Sequence, residues 1–275
     1  MILRDRLAAL HPGASRRRLK RWLETSRVRV NGAIVRRGDV PVAPGDRVEL
    51  AAPPPPPFPA PLTLVHEDEA ILVVDKPAGL LTIATARERE RTAYRLLMDY
   101  VAGQLRSGRD RIFIVHRLDR ETSGLLVFAK SPVAKRKLQA QFAARAPERV
   151  YVAVVEGRVR DAEGTLRARL DPAGRPRVRV TRDGPRGKEA ITRYRVLERR
   201  AGTTALELVL VTGRRGQIRA QLAAAGHPIV GDVAYGSRRS PLRRVCLHAT
   251  RLTFVHPDGR RVSFESPLPA AFGRV

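Results

Sequence analysis

The nine residues His116-Arg117-Leu118-Asp119-Arg120-Glu121-Thr122-Ser123-Gly124 are the densest polar group in the chain that has apolar runs on both sides, IFIV before it and LLVFA after it. Seven of the nine are polar or charged, so the segment reads as a loop between two buried strands. Such a loop can present a carboxylate at the edge of a sheet, among basic side chains that favour its anion. By composition alone it is equally a salt-bridged turn in which Thr122 and Ser123 satisfy backbone groups. Other reactive patterns are missing: no glycine-rich phosphate loop, no G-x-G-x-x-G, no H-E-x-x-H, no G-x-S-x-G and no Cys/His ligand spacing. The six histidines form no i,i+4 pair. The expected chemistry is one that uses neither a metal nor a cofactor.

The elements that must position this loop alternate short β-rich runs with helices. Strands are predicted over residues 70–75, 112–115, 124–129, 150–155, 166–170, 190–197, 206–212 and 246–255. Helical spacing marks Leu96, Leu97, Tyr100 and Val101, a Ser131-Pro132 start marks a helix running to about residue 145, and Gly226 closes one from Gln217. Strands follow strands too often for strict βαβ alternation. The expected fold class is mixed α/β of the α+β kind, with a largely antiparallel sheet.

Residues 51–62, AAPPPPPFPAPL, interrupt this pattern and read as a proline-rich linker between a head (1–50) and a body (63–275); a partner-binding role for the proline run is the weaker reading. In the head, Ser15 is placed to cap a helix through about Thr25, preceded by a short helix at Leu3, Leu7 and Leu10. Asn31-Gly32 between Val28–Val30 and residues 33–35 signals a hairpin. The formal net charge is +26, of which +7 falls in the head and +19 in the body. That excess points to a polyanion, although a solvated basic surface is the plainer alternative. No apolar stretch approaches the roughly 20 residues that span a bilayer. The single Cys246 excludes an internal disulfide framework. A cytoplasmic protein, monomeric for want of heptads and without a signal peptide, is expected.

The stretch HRLDRETSGLLVFAKSPVAKRKLQAQF resembles the signature of the RluA-type pseudouridine synthases, HRLDxxTSGLLxxAK, at every fixed position. VVDKPAGLL (73–81), RVYVAVVEGRV (149–159), GKEAITRYRVLER (187–199), VTGRRGQIRAQLAAAGHPIVGDVAYG (211–236) and LHATRLTF (247–254) extend the likeness to most of residues 63–270. Residues 16–50 resemble the small αL RNA-binding module of a ribosomal protein and several RNA-modifying enzymes. The resemblance implies a pseudouridine synthase fold and a cofactor-free isomerisation of uridine in structured RNA, ribosomal RNA favoured over transfer RNA. It implies Asp119 as the catalytic aspartate, Tyr151 against the target base and Arg219 beside Asp119. Arg117 and Leu247 are the expected substrate contacts in the body, and Arg16, Arg17, Lys20 and Arg21 those in the head. Two positions depart from the common pattern: Gly216 and Gln221 stand where many members carry histidine, and the segment after Gly79 lacks a frequent His-Pro pair. The competing class is an RNA-binding or ribosome-assembly protein that keeps the fold without turnover. A DNA-binding protein is disfavoured by the lack of a recognition-helix or zinc pattern.

Overall fold

A computed structural model describes residues 1–51, 57–104, 111–171, 178–181 and 187–275. It divides into two units, Met1–Pro56 and Pro57–Val275. Residues 52–56 of the proline-rich stretch lie outside the described residues. Its last part is not a linker: Phe58 meets Tyr100 edge-on at 4.9 Å and Leu62 is buried in the body's core, because both are apolar enough to be drawn into it.

In the first unit, α1 (Leu3–Leu10) and α2 (Arg16–Glu24) precede a three-stranded sheet of β1 (Val28–Val30), β2 (Ala33–Ile34) and β3 (Val48–Leu50), ordered β2-β1-β3. Ser15 Oγ caps α2 by accepting from Arg18 N. Leu19, Trp22 and Leu23 bury one face of that helix against Leu3, Leu7, Val28 and Val42, which leaves Arg16, Arg17, Lys20 and Arg21 exposed on the other. Asn31 and Gly32 turn with positive φ of 51° and 84°, as the hairpin requires.

The second unit is built on β4 (Thr63–Glu67), β5 (Ile71–Lys76), β6 (Phe113–Ile114), β7 (Ser123–Ala129), β8 (Glu148–Glu156), β9 (Glu163–Asp171), β10 (Arg179–Thr181), β11 (Lys188–Arg200), β12 (Thr203–Leu210), β13 (Leu247–Val255) and β14 (Arg261–Glu265). Helices α3 (Ala93–Gln104), α4 (Pro132–Ala143) and α5 (Gln217–Ala224) complete it. The strands form one sheet in the order β10-β9-β11-β12-β8-β13-β7-β5-β4, with β14 on β13 and β6 on β7. Among the described residues every pairing between these strands is antiparallel except β7 with β13. The continuous apolar runs of β5 and β7 arise because both faces are covered. Leu72, Val74, Leu126 and Phe128 join a cluster with Leu97 of α3, while Ile71, Val73, Leu125 and Val127 join one with Leu138 of α4. The strand expected over 112–115 shrinks to the two residues of β6, since the Ile112 N–H turns aside to Met98 Sδ at 3.4 Å.

The parallel contact sets a tight constraint. Gly124, with φ of 112°, faces Ala249 of β13, and a Cβ at Gly124 would lie 2.3 Å from the Ala249 carbonyl oxygen and 2.5 Å from its nitrogen. Neither backbone atom can move without breaking the ladder. Gly124→Ala is expected to destabilise the body by about 3 kcal/mol or more, through backbone strain and overpacking together. Urea denaturation would check this, and a loss below about 1 kcal/mol would show that the two strands can separate at little cost.

Candidate active site

The polar loop reaches β7 under restraint from the segment that leaves β5. Lys76 is fully buried, and its Nζ donates to the carbonyls of Pro77 (2.8 Å), Leu80 (2.8 Å) and Arg120 (3.3 Å). Gly79 N donates to Arg120 O at 2.7 Å, and Arg120 Nε returns a bond to Gly79 O at 3.0 Å. Thr82 Oγ1 donates to Leu118 O and accepts from Leu118 N, at 2.9 and 3.2 Å. Both sides of Asp119 are thereby held through the backbone, and a Thr122 N to Asp119 O bond at 3.2 Å closes the turn. Asp119 itself is the residue left free to present its carboxylate.

Sheet order brings the other candidates to this loop. In one row across three adjacent strands, Tyr151 of β8 pairs with Ala249 of β13, and Ala249 pairs with Gly124 of β7. Leu247 starts β13. Arg219 comes from α5, a helix buried nearly all round, whose polar side chains are satisfied internally. Gln217 bonds Thr212, Thr192 and the Ile191 and Arg214 backbone, and Gln221 bonds Thr192, Leu166 O and Ala190 O. Gln221 thus ties the helix to the sheet. Gly216 caps α5 with φ of 59°, and a Cβ there would lie 2.8 Å from the Tyr235 hydroxyl.

Asp119, Tyr151, Arg219, Leu247 and Arg117 line one cavity of about 290 Å³, together with His116, Phe142, Arg149 and the 213–218 turn. Arg219 does lie beside Asp119, Nη1 to Oδ2 at 3.7 Å, but its short bonds go elsewhere. Its Nε and Nη2 grip the buried Asp232 at 2.7 and 2.9 Å, Nη1 donates to Glu121 at 2.8 Å, and the guanidinium stands 4.9 Å over Tyr235. Burial opposes the Arg219 charge, yet the Asp232 hydrogen bonds and the surrounding carboxylates outweigh it and raise its pKa further. Asp232, Glu121 and Tyr235 were not singled out by sequence. The GDVAYG run that holds two of them carries no periodic signal of its own. Arg16, Arg17, Lys20 and Arg21 belong to the other unit and its exposed α2 face.

Two titratable rings in the cavity wall are held neutral, beside the arginines Arg117, Arg149, Arg214 and Arg215. Burial pushes the Tyr151 phenol up to about 12, opposed by Arg149 and reinforced by Asp119, so it keeps its proton at neutral pH. Burial, with the Arg149 charge adding to it, pushes His116 down to about 3. Its Nε2 accepts from Val127 N at 3.3 Å, which puts the ring proton on Nδ1, and the ring stacks on Phe142 at 4.6 Å. The cavity therefore offers one carboxylate, an aromatic wall, an arginine fixed by carboxylates and four further arginines, a set suited to holding a planar base of an anionic chain while a carboxylate works at a carbon centre.

Comparison with known proteins places this arrangement. The RNA pseudouridylate synthase family profile matches residues 70–224, and the S4 domain profile matches residues 3–48. The chain belongs to the RNA pseudouridylate synthase family. Relatives include the ribosomal large subunit pseudouridine synthase D of Pseudomonas aeruginosa, 40% identical over 98% of this chain and 89% of its own length. That of Haemophilus ducreyi is 36% identical over 97% and 87%. Human RNA pseudouridylate synthase domain containing 4 shares the fold, with a TM-score of 0.65 at 21% identity over 77% of this chain and 90% of its own. As a pseudouridine synthase the protein is an isomerase of the RluA type, with an RNA-binding S4 domain as its head. Among the described residues no helix is long and apolar enough to cross a membrane.

The Lys76 clamp is testable through pH. Burial, against the pull of Glu121 and Asp119, lowers its ammonium to about 7, whereas an unfolded lysine titrates near 10.4. Below about pH 7 both states hold the proton and the fold bears the full cost of burying charge; between about 7 and 10.4 the folded amine loses it first and that cost is relieved. The stability of the wild type relative to Lys76→Met should therefore increase from about pH 6 to about pH 10. At neutral pH the substitution should cost roughly 2–3 kcal/mol, because three carbonyls lose their donor. Urea denaturation of both proteins across this range is the measurement, and a difference independent of pH would mean the folded ammonium keeps its proton.

Proposed function

We propose that this synthase isomerises uridines of ribosomal RNA in the cytoplasm, with Asp119 as the reacting carboxylate. The observation that carries the reading is that Asp119, Tyr151, Arg219 and Leu247, from four separate segments, line a single cavity in a chain of this family. Ribosomal RNA is favoured because relatives matched over nearly the whole chain are named for the large ribosomal subunit. In the reaction the N1–C1′ bond of uridine breaks, the uracil turns within the cavity, and C5 bonds to C1′ and gives up its proton while N1 takes one up. No atom is gained or lost. The Asp119 carboxylate serves either by attacking C1′ or by taking a sugar proton to form a glycal. The base must first leave its stack, and Tyr151 and Leu247 supply surfaces against which it packs. Arg219 holds the Asp119 side of the cavity in place from its anchor on Asp232, and Arg117 at the mouth contacts the RNA.

Asp119→Asn keeps the shape of the side chain and removes its anion. Turnover is expected to fall by at least about 10⁴-fold, with RNA affinity and melting temperature near those of the wild type. Pseudouridine mapping of total RNA with and without the protein identifies the uridine, and a purified Asn variant with wild-type turnover would refute the assignment.

The S4 head supplies phosphate contacts from the exposed face of α2. Replacing Arg16, Arg17, Lys20 and Arg21 together by Ala leaves the buried face of that helix untouched. Affinity for RNA should fall, and the slope of log affinity against log salt should become shallower by roughly 3. Unchanged slopes would remove α2 from the RNA interface.

A further inference from the structure

Two of the arginines at the cavity, the buried Arg219 and the half-buried Arg149, have opposite surroundings. Arg219 is met by Asp232, Glu121 and, farther off, Asp119. Arg149 has no carboxylate at ion-pair distance among the described residues and donates no hydrogen bond, and its Nε is buried without a partner. The guanidinium lies over the Phe142 ring at 5.8 Å and against Gly213, where a Cβ would come 2.3 Å from Nη1. It sits two residues before Tyr151 on β8, so the two side chains share the face that lines the cavity. The neighbouring His116 is a neutral imidazole and brings no counter-charge.

A guanidinium held in this way has a buried Nε–H without an acceptor and a charge that no carboxylate balances, an arrangement that costs stability until a ligand supplies an acceptor. We propose that Arg149 binds a backbone phosphate of the target nucleotide, the phosphodiester flanking the uridine that packs on Tyr151. The proposal rests on the reading of the cavity as the uridine site. A uracil offers only neutral carbonyls, which would leave the charge unbalanced. A phosphodiester offers a full negative charge and two non-bridging oxygens that match the planar fork of the guanidinium. Gly213, with no side chain, lets the fork lie flat against the turn that borders the cavity. Arg149 is in this view a binding residue that fixes the ribose over Asp119; the sequence puts it at the start of the RVYVAVVEGRV stretch but does not set it apart from other charged strand residues.

The test is a coupling experiment on a hairpin carrying the mapped uridine. Binding is measured for the wild type, Arg149→Gln and Arg149→Lys, with natural linkages and with the phosphate on either side of the uridine replaced in turn by an uncharged methylphosphonate. The ribose before each replaced linkage is 2′-deoxy in every strand, so that only charge differs. One neutral linkage should weaken wild-type binding by at least about tenfold, Arg149→Gln should weaken the natural hairpin by a similar factor, and the two together should cost no more than either alone. Arg149→Lys should keep part of the affinity, and in Arg149→Gln the loss should appear in KM with kcat within about threefold. Penalties that multiply at both linkages, neutral linkages that cost the wild type nothing, or a fall in kcat at unchanged KM would each overturn the proposal. Should Arg149→Gln fail to fold, Arg149→Lys runs the same cycle, its penalty vanishing at the neutral linkage if the proposal holds and persisting if it does not. A wild type that binds the hairpin without converting its uridine would refute the catalytic reading and leave the phosphate result standing. If mapping finds no uridine, the same question is put with uridine 5′-monophosphate against uridine, whose affinity ratio should collapse in Arg149→Gln.

Discussion

The carboxylate at the centre of the site is only as well placed as the loop that carries it, and that loop is held by backbone bonds from one neighbouring segment. Lys76, Gly79 and Thr82 take hold of Leu118 and Arg120 from both sides of Asp119. A loop stabilised by its own side chains would have to spend Arg117, Glu121 or Asp119 on the task. Here most of the restraint comes from the segment that follows β5, with one bond from the Arg120 side chain, and the Asp119 carboxylate remains available to the cavity. The buried lysine suits this role because an ammonium presents three donors in a compact group, which bridges three carbonyls without needing an acid nearby.

The polar interior behind the cavity follows the same logic. α5 is buried almost completely, yet it carries two glutamines and an arginine on its inner turns. Each glutamine amide is satisfied by carbonyls of β9 and β11 or by Thr192 and Thr212, so the helix is fixed by directional bonds rather than by apolar contact alone. Arg219 is then anchored by Asp232 through a two-pronged grip and reaches Asp119 only with its remaining nitrogen. The replacement of a familiar histidine by Gln221 therefore falls on the helix-to-sheet attachment. Gly216 is the substitution that touches the cavity wall.

Much of this was legible in the residues. The alternation of strands and helices, the Ser15 and Ser131 caps and the Asn31-Gly32 hairpin depend on local preferences, and they appear in the structure close to where they are expected. The short strands β4, β10 and β14 were not, since five or fewer residues carry too little pattern. The single parallel pairing was also invisible, because nothing local distinguishes a strand that runs beside β13 from one that runs against it. In the site, the signature loop and Tyr151 could be named because a motif frames them. Asp232, Glu121, Tyr235 and Arg149 could not, since their importance lies in what surrounds them: three carboxylates for one arginine and none for the other.

The sheet order has a consequence for how the protein comes into being. β13, which begins at Leu247, lies between β8 and β7, and it supplies Leu247 to the cavity and Ala249 to the row that joins Tyr151 with Gly124. Until that strand has been synthesised, β8 with the strands beyond it and β7 with those on its other side are two half-sheets with facing raw edges, and the carboxylate and its aromatic wall have no common frame. The site thus assembles only after residues 247–255 have joined the sheet, whatever parts of the chain fold before them. Assembly of the site is timed by the position of one strand.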